Sequence, residues 1–143
     1  EYQAPVEYGR SEIIRRGKKI AVLGVGSMIP SCMEICKGLK DDGYDPTFVN
    51  ARFVKPLDVD LLDELAKDHS LFVTVEENVK SGGYGEHVSA YMEACHPEIR
   101  VLSAAVWDRF VPQGNVESLR SRIGLGVEDI RQAIEDSEEL RKQ

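Results

Sequence analysis

Thr74-Val75-Glu76-Glu77-Asn78-Val79-Lys80-Ser81-Gly82-Gly83-Tyr84-Gly85-Glu86 is the most informative stretch of this 143-residue chain. An apolar run over 71–75 ends in two carboxylates, a glycine-rich turn follows, and an amphipathic helix then begins. Strand, turn and helix in that order form the repeating unit of an α/β sheet, whose strands offer their carboxyl ends to ligands and partner domains. Glycine at such a turn admits positive φ and close backbone approach.

The same alternation extends in both directions. Residues 11–16 and 19–23 are strand-like, and the short turn Arg16-Gly17-Lys18 between them predicts an antiparallel hairpin. After Gly24-Val25-Gly26-Ser27 the period lengthens. Cys32, Ile35, Cys36 and Leu39 follow the spacing of a helix that stops near Asp42-Gly43. A strand is expected over 47–50. Asp58 then reads as the N-cap of a helix burying Leu61, Leu62, Leu65 and Ala66, with Asp60 favoured by the dipole of the first turn.

Beyond the opening stretch, a helix carries Val88, Tyr91, Met92 and Cys95 on one face, and a strand covers 100–104. A short helical piece with Leu119 and Ile123 is broken by Gly124-Leu125-Gly126. The last helix uses Ile130, Ala133 and Ile134 and is expected to fray over 138–143. From Lys19 onward the order is β-α-β-α-β-α-β, which predicts parallel strands with crossover helices. The expected fold is α/β: a three-layer αβα sandwich on a mixed, mostly parallel five-stranded sheet with one antiparallel strand.

Composition narrows the function. An apolar content of 42% and a charged content of 30% describe a soluble globular domain. The net charge of −7, without a dense Lys/Arg block, argues against nucleic acid or an anionic membrane as partner. The apolar runs are too short for a transmembrane span. Glu1 stands where Met would begin a chain, and no signal-peptide pattern follows. The simplest account is a piece of a longer polypeptide, with 1–8, including Tyr2-Gln3-Ala4-Pro5-Val6, as the remnant of an interdomain linker and 9–143 as one domain. Cys32, Cys36 and Cys95 offer no disulfide framework and fit a reducing, cytoplasmic setting. Cys32 and Cys36 share their stripe with Ile35 and Leu39, which favours buried thiols over metal ligands.

No residue pattern supplies a self-sufficient active site. Gly24-Val25-Gly26-Ser27 lacks the third glycine of a dinucleotide fingerprint and the Lys-Ser/Thr of a P-loop, so a tight βα turn is the better reading, with Ser27 capping the helix or supporting the turn. Glu76 and Glu77 are adjacent, so an extended strand points them to opposite faces, a poor arrangement for a two-carboxylate pair. A structural ion pair, with Arg52 or Lys55 at the same edge, or an interface contact fits them better. His87 stands in the first turn of its helix, where the dipole disfavours protonation. A general base is one reading; a surface or interface histidine is preferred because no nucleophile is linked to it. His69 is expected in a helix–strand loop and His96 in another. Trp107-Asp108-Arg109-Phe110 has the composition of an interface, and packing under the domain's own final helices explains it equally well.

Several ordered segments carry a resemblance. They are Gly9-Arg10-Ser11 with Arg16-Gly17-Lys18, Gly24-Val25-Gly26-Ser27, and Asn50-Ala51-Arg52-Phe53-Val54-Lys55-Pro56-Leu57-Asp58. They continue with Val73-Thr74-Val75-Glu76-Glu77-Asn78, Gly82-Gly83-Tyr84-Gly85, Asp108-Arg109-Phe110 with Gln113-Gly114, and Gly124-Leu125. Together they resemble the C-terminal domain of the transketolase-like, thiamin-diphosphate-dependent enzymes. Within that family the wording is most similar to the 1-deoxy-D-xylulose-5-phosphate synthases, although Gln113-Gly114 stands where these usually have His-Gly. Transketolases and the β subunits of 2-oxo acid dehydrogenase E1 components share much of the pattern.

The resemblance implies a homodimeric parent enzyme of three domains. The first two would hold thiamin diphosphate and Mg2+ and would condense pyruvate with glyceraldehyde 3-phosphate, toward isoprenoid and thiamin precursors. It assigns no catalytic, cofactor-binding or metal-binding residue to this chain, which would be a packing module, inactive alone, docked on the upstream domains of the same polypeptide. The candidate docking rim is Arg52, Lys55, Glu76, Glu77, Gly82, Gly83, Gly85, His87, Asp108 and Arg109. A different reading makes the turns at Gly24 and Gly82 a cradle for a phosphate-bearing effector.

Overall fold

The computed structural model describes residues 10–52, 57–77, 83–106 and 127–142. Strands β1 (Glu12–Arg15), β2 (Lys19–Gly24), β3 (Thr47–Asn50), β4 (His69–Glu77) and β5 (Arg100–Val106) form a five-stranded sheet in the order β1-β3-β2-β4-β5. The β1–β3 pair is antiparallel and the other pairs are parallel. The helices are α1 (Ile29–Asp41), α2 (Val59–Leu65), α3 (Tyr84–Cys95) and α4 (Val127–Lys142).

Strand alternation sorts the core into two halves. Ile20, Val22, Leu71, Val73 and Val75 point to one face and meet Cys32, Ile35, Cys36 and Leu39 of α1 and Ile130 and Ile134 of α4. Ala21, Leu23, Val49 and Phe72 point to the other and meet Leu61, Leu62 and Leu65 of α2 and Tyr84, Val88 and Met92 of α3. The central strands are therefore apolar on both faces, as a sheet covered by helices on each side requires. Burying one such aliphatic side chain contributes about 1.5–3 kcal/mol, so the two helix layers hold the sheet largely by these stripes. The sandwich expected from the sequence is the one observed.

The hairpin is a correction. β1 pairs with β3, in the register Glu12↔Asn50 and Ile13↔Val49, and not with β2. Both edges of β2 are occupied by parallel partners, and its residues Ile20, Ala21, Val22 and Leu23 are buried. A strand carrying Glu12 and Arg15 belongs at an edge, where charge blunts further pairing. The chain passes from β1 to β2 beneath β3: the Gly17 N–H donates to Thr47 Oγ1 at 2.9 Å and the Lys18 N–H to the Asp45 carbonyl at 2.7 Å. A Cβ at Gly17 would stand 2.6 Å from the Pro46 carbonyl oxygen and closer still to that of Asp45, so only glycine fits this crossing.

Three smaller corrections follow from long-range contact. His69 is not in a loop but opens β4, and its side chain is fully buried. Its Nδ1 lies 2.9 Å from the Leu65 carbonyl and 2.7 Å from Asp68 Oδ1, two acceptors, so Nδ1 carries the proton. In the neutral ring Nε2 then accepts from the Thr47 hydroxyl at 2.7 Å. Cys95 ends α3 on an exposed position, unlike Val88 and Met92. The charged end of α4 continues as helix to Lys142 rather than fraying from residue 138. The proposed linker 1–8, the helical piece at Leu119 and Ile123 and the break at Gly124-Leu125-Gly126 lie outside the described residues.

Candidate functional site

From β2 the chain crosses through α1 to β3 on one side, and from β4 through α3 to β5 on the other. The carboxyl ends of β2 and β4 therefore flank a topological switch point, where open α/β sheets place their ligands and contacts. The Val25 N–H donates to the Val75 carbonyl at 3.2 Å across this point, and the Ala51 N–H to the Gly24 carbonyl at 2.8 Å. Arg52, Glu76, Gly83, Gly85 and His87 all lie on this edge. Glu77 is the last residue of β4. Lys55, Gly82, Asp108 and Arg109, with Trp107 and Phe110, lie outside the described residues.

Glu76 is committed inside the domain. Its Oε1 accepts from the Tyr84 N–H at 2.9 Å and its Oε2 from the Gly85 N–H at 2.8 Å. A carboxylate thus sits on the free N–H groups and positive dipole end of α3. Gly83, the N-cap residue, supplies no side chain for that role. A Cβ at Gly85 would stand 2.7 Å from Thr74 Oγ1, 2.8 Å from Glu76 Oε2 and 2.9 Å from Ser103 Oγ, so the bare backbone lets α3 descend onto β4 and β5.

Arg52 is likewise engaged, with Glu12, while Lys55, the other basic residue offered to Glu76 or Glu77, lies outside the described residues. The Arg52 guanidinium donates to Glu12 Oε1 at 2.6 Å and its side chain is 15% exposed. Its backbone has φ 62, a left-handed conformation that costs a residue with a Cβ about 1 kcal/mol or more, and its N–H donates to Asn50 Oδ1 at 3.1 Å. Arg52 is a brace between the tip of β3 and the edge strand.

Asp58 does more than the capping read from the sequence. It accepts from the Leu61 N–H at 3.2 Å, as the N-cap of α2, and also from the Ser11 N–H at 2.7 Å. The Ser11 hydroxyl donates to the Ala51 carbonyl at 3.1 Å, closing the same corner.

Two buried polar atoms at this edge, Thr74 Oγ1 and His87 Nε2, have no hydrogen-bond partner among the described residues. Thr74 has no role of its own in the sequence reading, although a lone hydroxyl in the apolar run 71–75 was the available signal. Tyr84 has none there either. Its buried phenol is pushed up from its ordinary value by burial first, then by the carboxylates of Asp58 and Glu76. A buried aromatic between two acidic segments leaves no periodic trace.

The Gly24–Ser27 turn behaves as a connection. Val25 and Met28 occupy the N-cap positions of a single 3-10 turn and of α1, so Ser27 is not the capping residue. The Met28 N–H donates to the Val25 carbonyl at 3.0 Å, and that of Val25 is used by Val75. Neither amide is left for a phosphate.

Cys32 and Cys36 are buried thiols, each pushed up to about 12 by burial, as a packed side chain and not a metal-binding thiolate requires. Among the described residues no group of three or more His, Cys, Asp or Glu is arranged to hold a metal ion. None of their helices is long and apolar enough to cross a membrane. The described residues thus do not fit thiamin diphosphate or its metal: the α3 amino end already holds Glu76, and no donor cluster among them stands beside it. Away from the edge, Asp63 on α2 accepts from the Tyr91 hydroxyl at 2.7 Å and lies 2.7 Å from His96 Nε2. The His96 hydrogen bond first and the Tyr91 one second hold its carboxyl below the usual range.

Comparison with known proteins agrees with this architecture. The 1-deoxy-D-xylulose-5-phosphate synthase of Dictyoglomus thermophilum is 40% identical over 129 residues, 90% of this chain. That of Nitrosomonas europaea is 40% identical over 131 residues, 92% of this chain. The chain spans 21% and 20% of the length of these relatives. Among solved structures, a split-gene transketolase, described as an inactive β4 tetramer, superposes with a TM-score of 0.74 at 28% identity, over 93% of this chain and 43% of its own. A 2-oxoglutarate:ferredoxin oxidoreductase from Magnetococcus marinus shares the fold at a TM-score of 0.58 and 14% identity, over 90% of this chain and 20% of its own. The model of the transketolase C-terminal domain matches residues 9–130. With its sheet order, helix layers and most of its length so accounted for, this chain belongs to the transketolase C-terminal domain family.

Proposed function

We propose that this chain is the C-terminal domain of a 1-deoxy-D-xylulose-5-phosphate synthase, and that it packs against the remainder of that enzyme without contributing a reacting group. The observation that carries the reading is the use of the edge's own chemistry: both oxygens of Glu76 and the guanidinium of Arg52 are bonded inside the domain. The likeness to synthases about five times its length supports it. In this reading residues 1–8 are linker and 9–143 the domain. Thiamin diphosphate and Mg2+ are held by upstream domains, the parent is a cytoplasmic homodimer, and the carboxyl edge faces the rest of the polypeptide.

The test compares the polypeptide encoded by the whole reading frame with this chain alone, each given thiamin diphosphate, Mg2+, pyruvate and glyceraldehyde 3-phosphate. The long form is expected to release carbon dioxide and form 1-deoxyxylulose 5-phosphate, and the short form to do neither. Turnover by the 143-residue chain alone would overturn the reading. The structural likeness to a split-gene transketolase favours a second reading, a transketolase parent, which would transfer a two-carbon unit between sugar phosphates and leave pyruvate untouched. A related third reading, the β subunit of a 2-oxo acid dehydrogenase E1 component, would reveal itself by binding an acyltransferase core. The phosphate-effector cradle is disfavoured, because the carboxylate of Glu76 stands where the anion would need the α3 amides.

A further inference from the structure

Asp58 and Glu76 do the same thing in two places. Each carboxylate divides its oxygens between two backbone N–H groups, and each ties the amino end of a helix to another segment at the carboxyl edge. Asp58 joins α2 to Ser11, across 47 residues of sequence. Glu76 joins the tip of β4 to the first turn of α3, across 8 residues. Asp58 is a conventional N-cap with an added long-range bond; Glu76 is neither the N-cap nor the third residue of a capping box, and reaches the helix from the strand. Bonds of a carboxylate to backbone amides are among the stronger hydrogen bonds, and two oxygens on two donors also fix an orientation.

The two clamps are neighbours. Tyr84, buried at the start of α3, donates its N–H to Glu76, and its phenol feels both carboxylates. The α2 and α3 layer is thus held to the strand tips at two linked points. The same edge carries the left-handed backbone of Arg52 and two buried polar atoms, on Thr74 and His87, that have no partner among the described residues.

We propose that Asp58 and Glu76 are paired positioning residues, which hold the amino ends of α2 and α3 in fixed registry on the carboxyl edge and so orient that edge toward the rest of the enzyme. The proposal rests on the synthase reading above. Neither carboxylate touches substrate; both act through the helices they hold.

The test uses Glu76→Ala, Glu76→Gln, Asp58→Asn and the double variant Asp58→Asn/Glu76→Gln. In this chain, amide exchange followed by NMR is expected to accelerate about ten-fold at Tyr84 and Gly85 in Glu76→Ala, while amides of β2 and the middle of β4 keep their protection. Glu76→Gln is expected to fall between, because its carbonyl oxygen still accepts one N–H while its amide group faces a donor. In the full-length enzyme, at a temperature where all variants are folded, Glu76→Ala is expected to lower kcat several-fold with KM little changed. Glu76→Gln should restore part of that loss, and the double variant should lose less than the product of the single losses. Unchanged exchange at Tyr84 and Gly85 would overturn the clamp. Faster exchange with kcat unmoved would reduce the carboxylates to local stability and overturn the positioning role. A wild-type full-length enzyme that makes no product would instead overturn the synthase reading, and the exchange result, which needs no turnover, tells the two failures apart.

Discussion

At the amino end of the sheet, Gly17, Thr47, His69, Asp68 and the Leu65 carbonyl form a chain of hydrogen bonds in which every buried group meets a partner of this same polypeptide. At the carboxyl end, Glu76 and Asp58 are satisfied, but Thr74 Oγ1 and His87 Nε2 are buried without a partner among the described residues. Buried polar groups cost free energy unless bonded, and only the first end has all of these groups bonded among the described residues. The two ends of the sheet thus differ in how their buried polar groups are bonded among the described residues.

The sharpest way to break this contrast is a methyl group at each end. At Gly17 the methyl meets the carbonyls of Asp45 and Pro46, which are backbone and cannot turn aside. Gly17→Ala is therefore expected to cost about 3 kcal/mol in chemical denaturation. At Gly85 the obstacles are the side-chain oxygens of Thr74, Glu76 and Ser103, which can shift. Gly85→Ala should cost less, about 1–2 kcal/mol, and equal losses at the two sites would erase the distinction between a rigid and an adaptable end.

A second pair reads the hydrogen bonding with opposite signs. Thr47→Val removes the acceptor of the Gly17 N–H and the donor to His69, and is expected to destabilise by about 2 kcal/mol. Thr74→Val removes a buried hydroxyl that has no partner among the described residues, and is expected to stabilise this chain by about 1 kcal/mol. Destabilisation by Thr74→Val, measured as the same denaturation midpoint shift, would mean that the hydroxyl is satisfied after all.

The smallest effect concerns pH and the outer face of the α2–α3 layer. The carboxyl of Asp63 is held below its ordinary value of 3.8 in the folded state, by His96 and then Tyr91. A group depressed on folding contributes stability that is fully present above its unfolded value and is lost as pH falls through the folded one. The contribution of Asp63 is thus expected to be intact at neutral pH and to fade below about pH 4. The effect is small because Asp63 is half exposed. Asp63→Asn should flatten that acid limb of a thermal-stability profile; a limb identical to the wild type would show the cluster to be idle.

Much of this molecule was legible before its contacts were known. The helix stripe at Cys32, Ile35, Cys36 and Leu39, the strand at Thr47–Asn50 and the capping role of Asp58 all follow from spacing within a dozen residues, and all are present. The position of Glu76 at the tip of a strand was legible from the end of the apolar run 71–75. Its bonding and that of Arg52 were not, because Arg52 turns to Glu12 and Glu76 to the amides of α3. The edge strand was misassigned for a related reason: a short turn favours a hairpin locally, but both edges of β2 were already claimed by parallel strands.

Order of elements, burial of each stripe and the mixed α/β architecture are properties of hydrophobic period, which each segment carries in its own residues. The partner of β1, the enclosure of His69, the need for glycine at positions 17 and 85 and the engagement of Glu76 depend on segments that meet only after the layers close. Period is local, whereas hydrogen-bond satisfaction and steric room belong to the packed molecule, and no reading of neighbours along the chain supplies them.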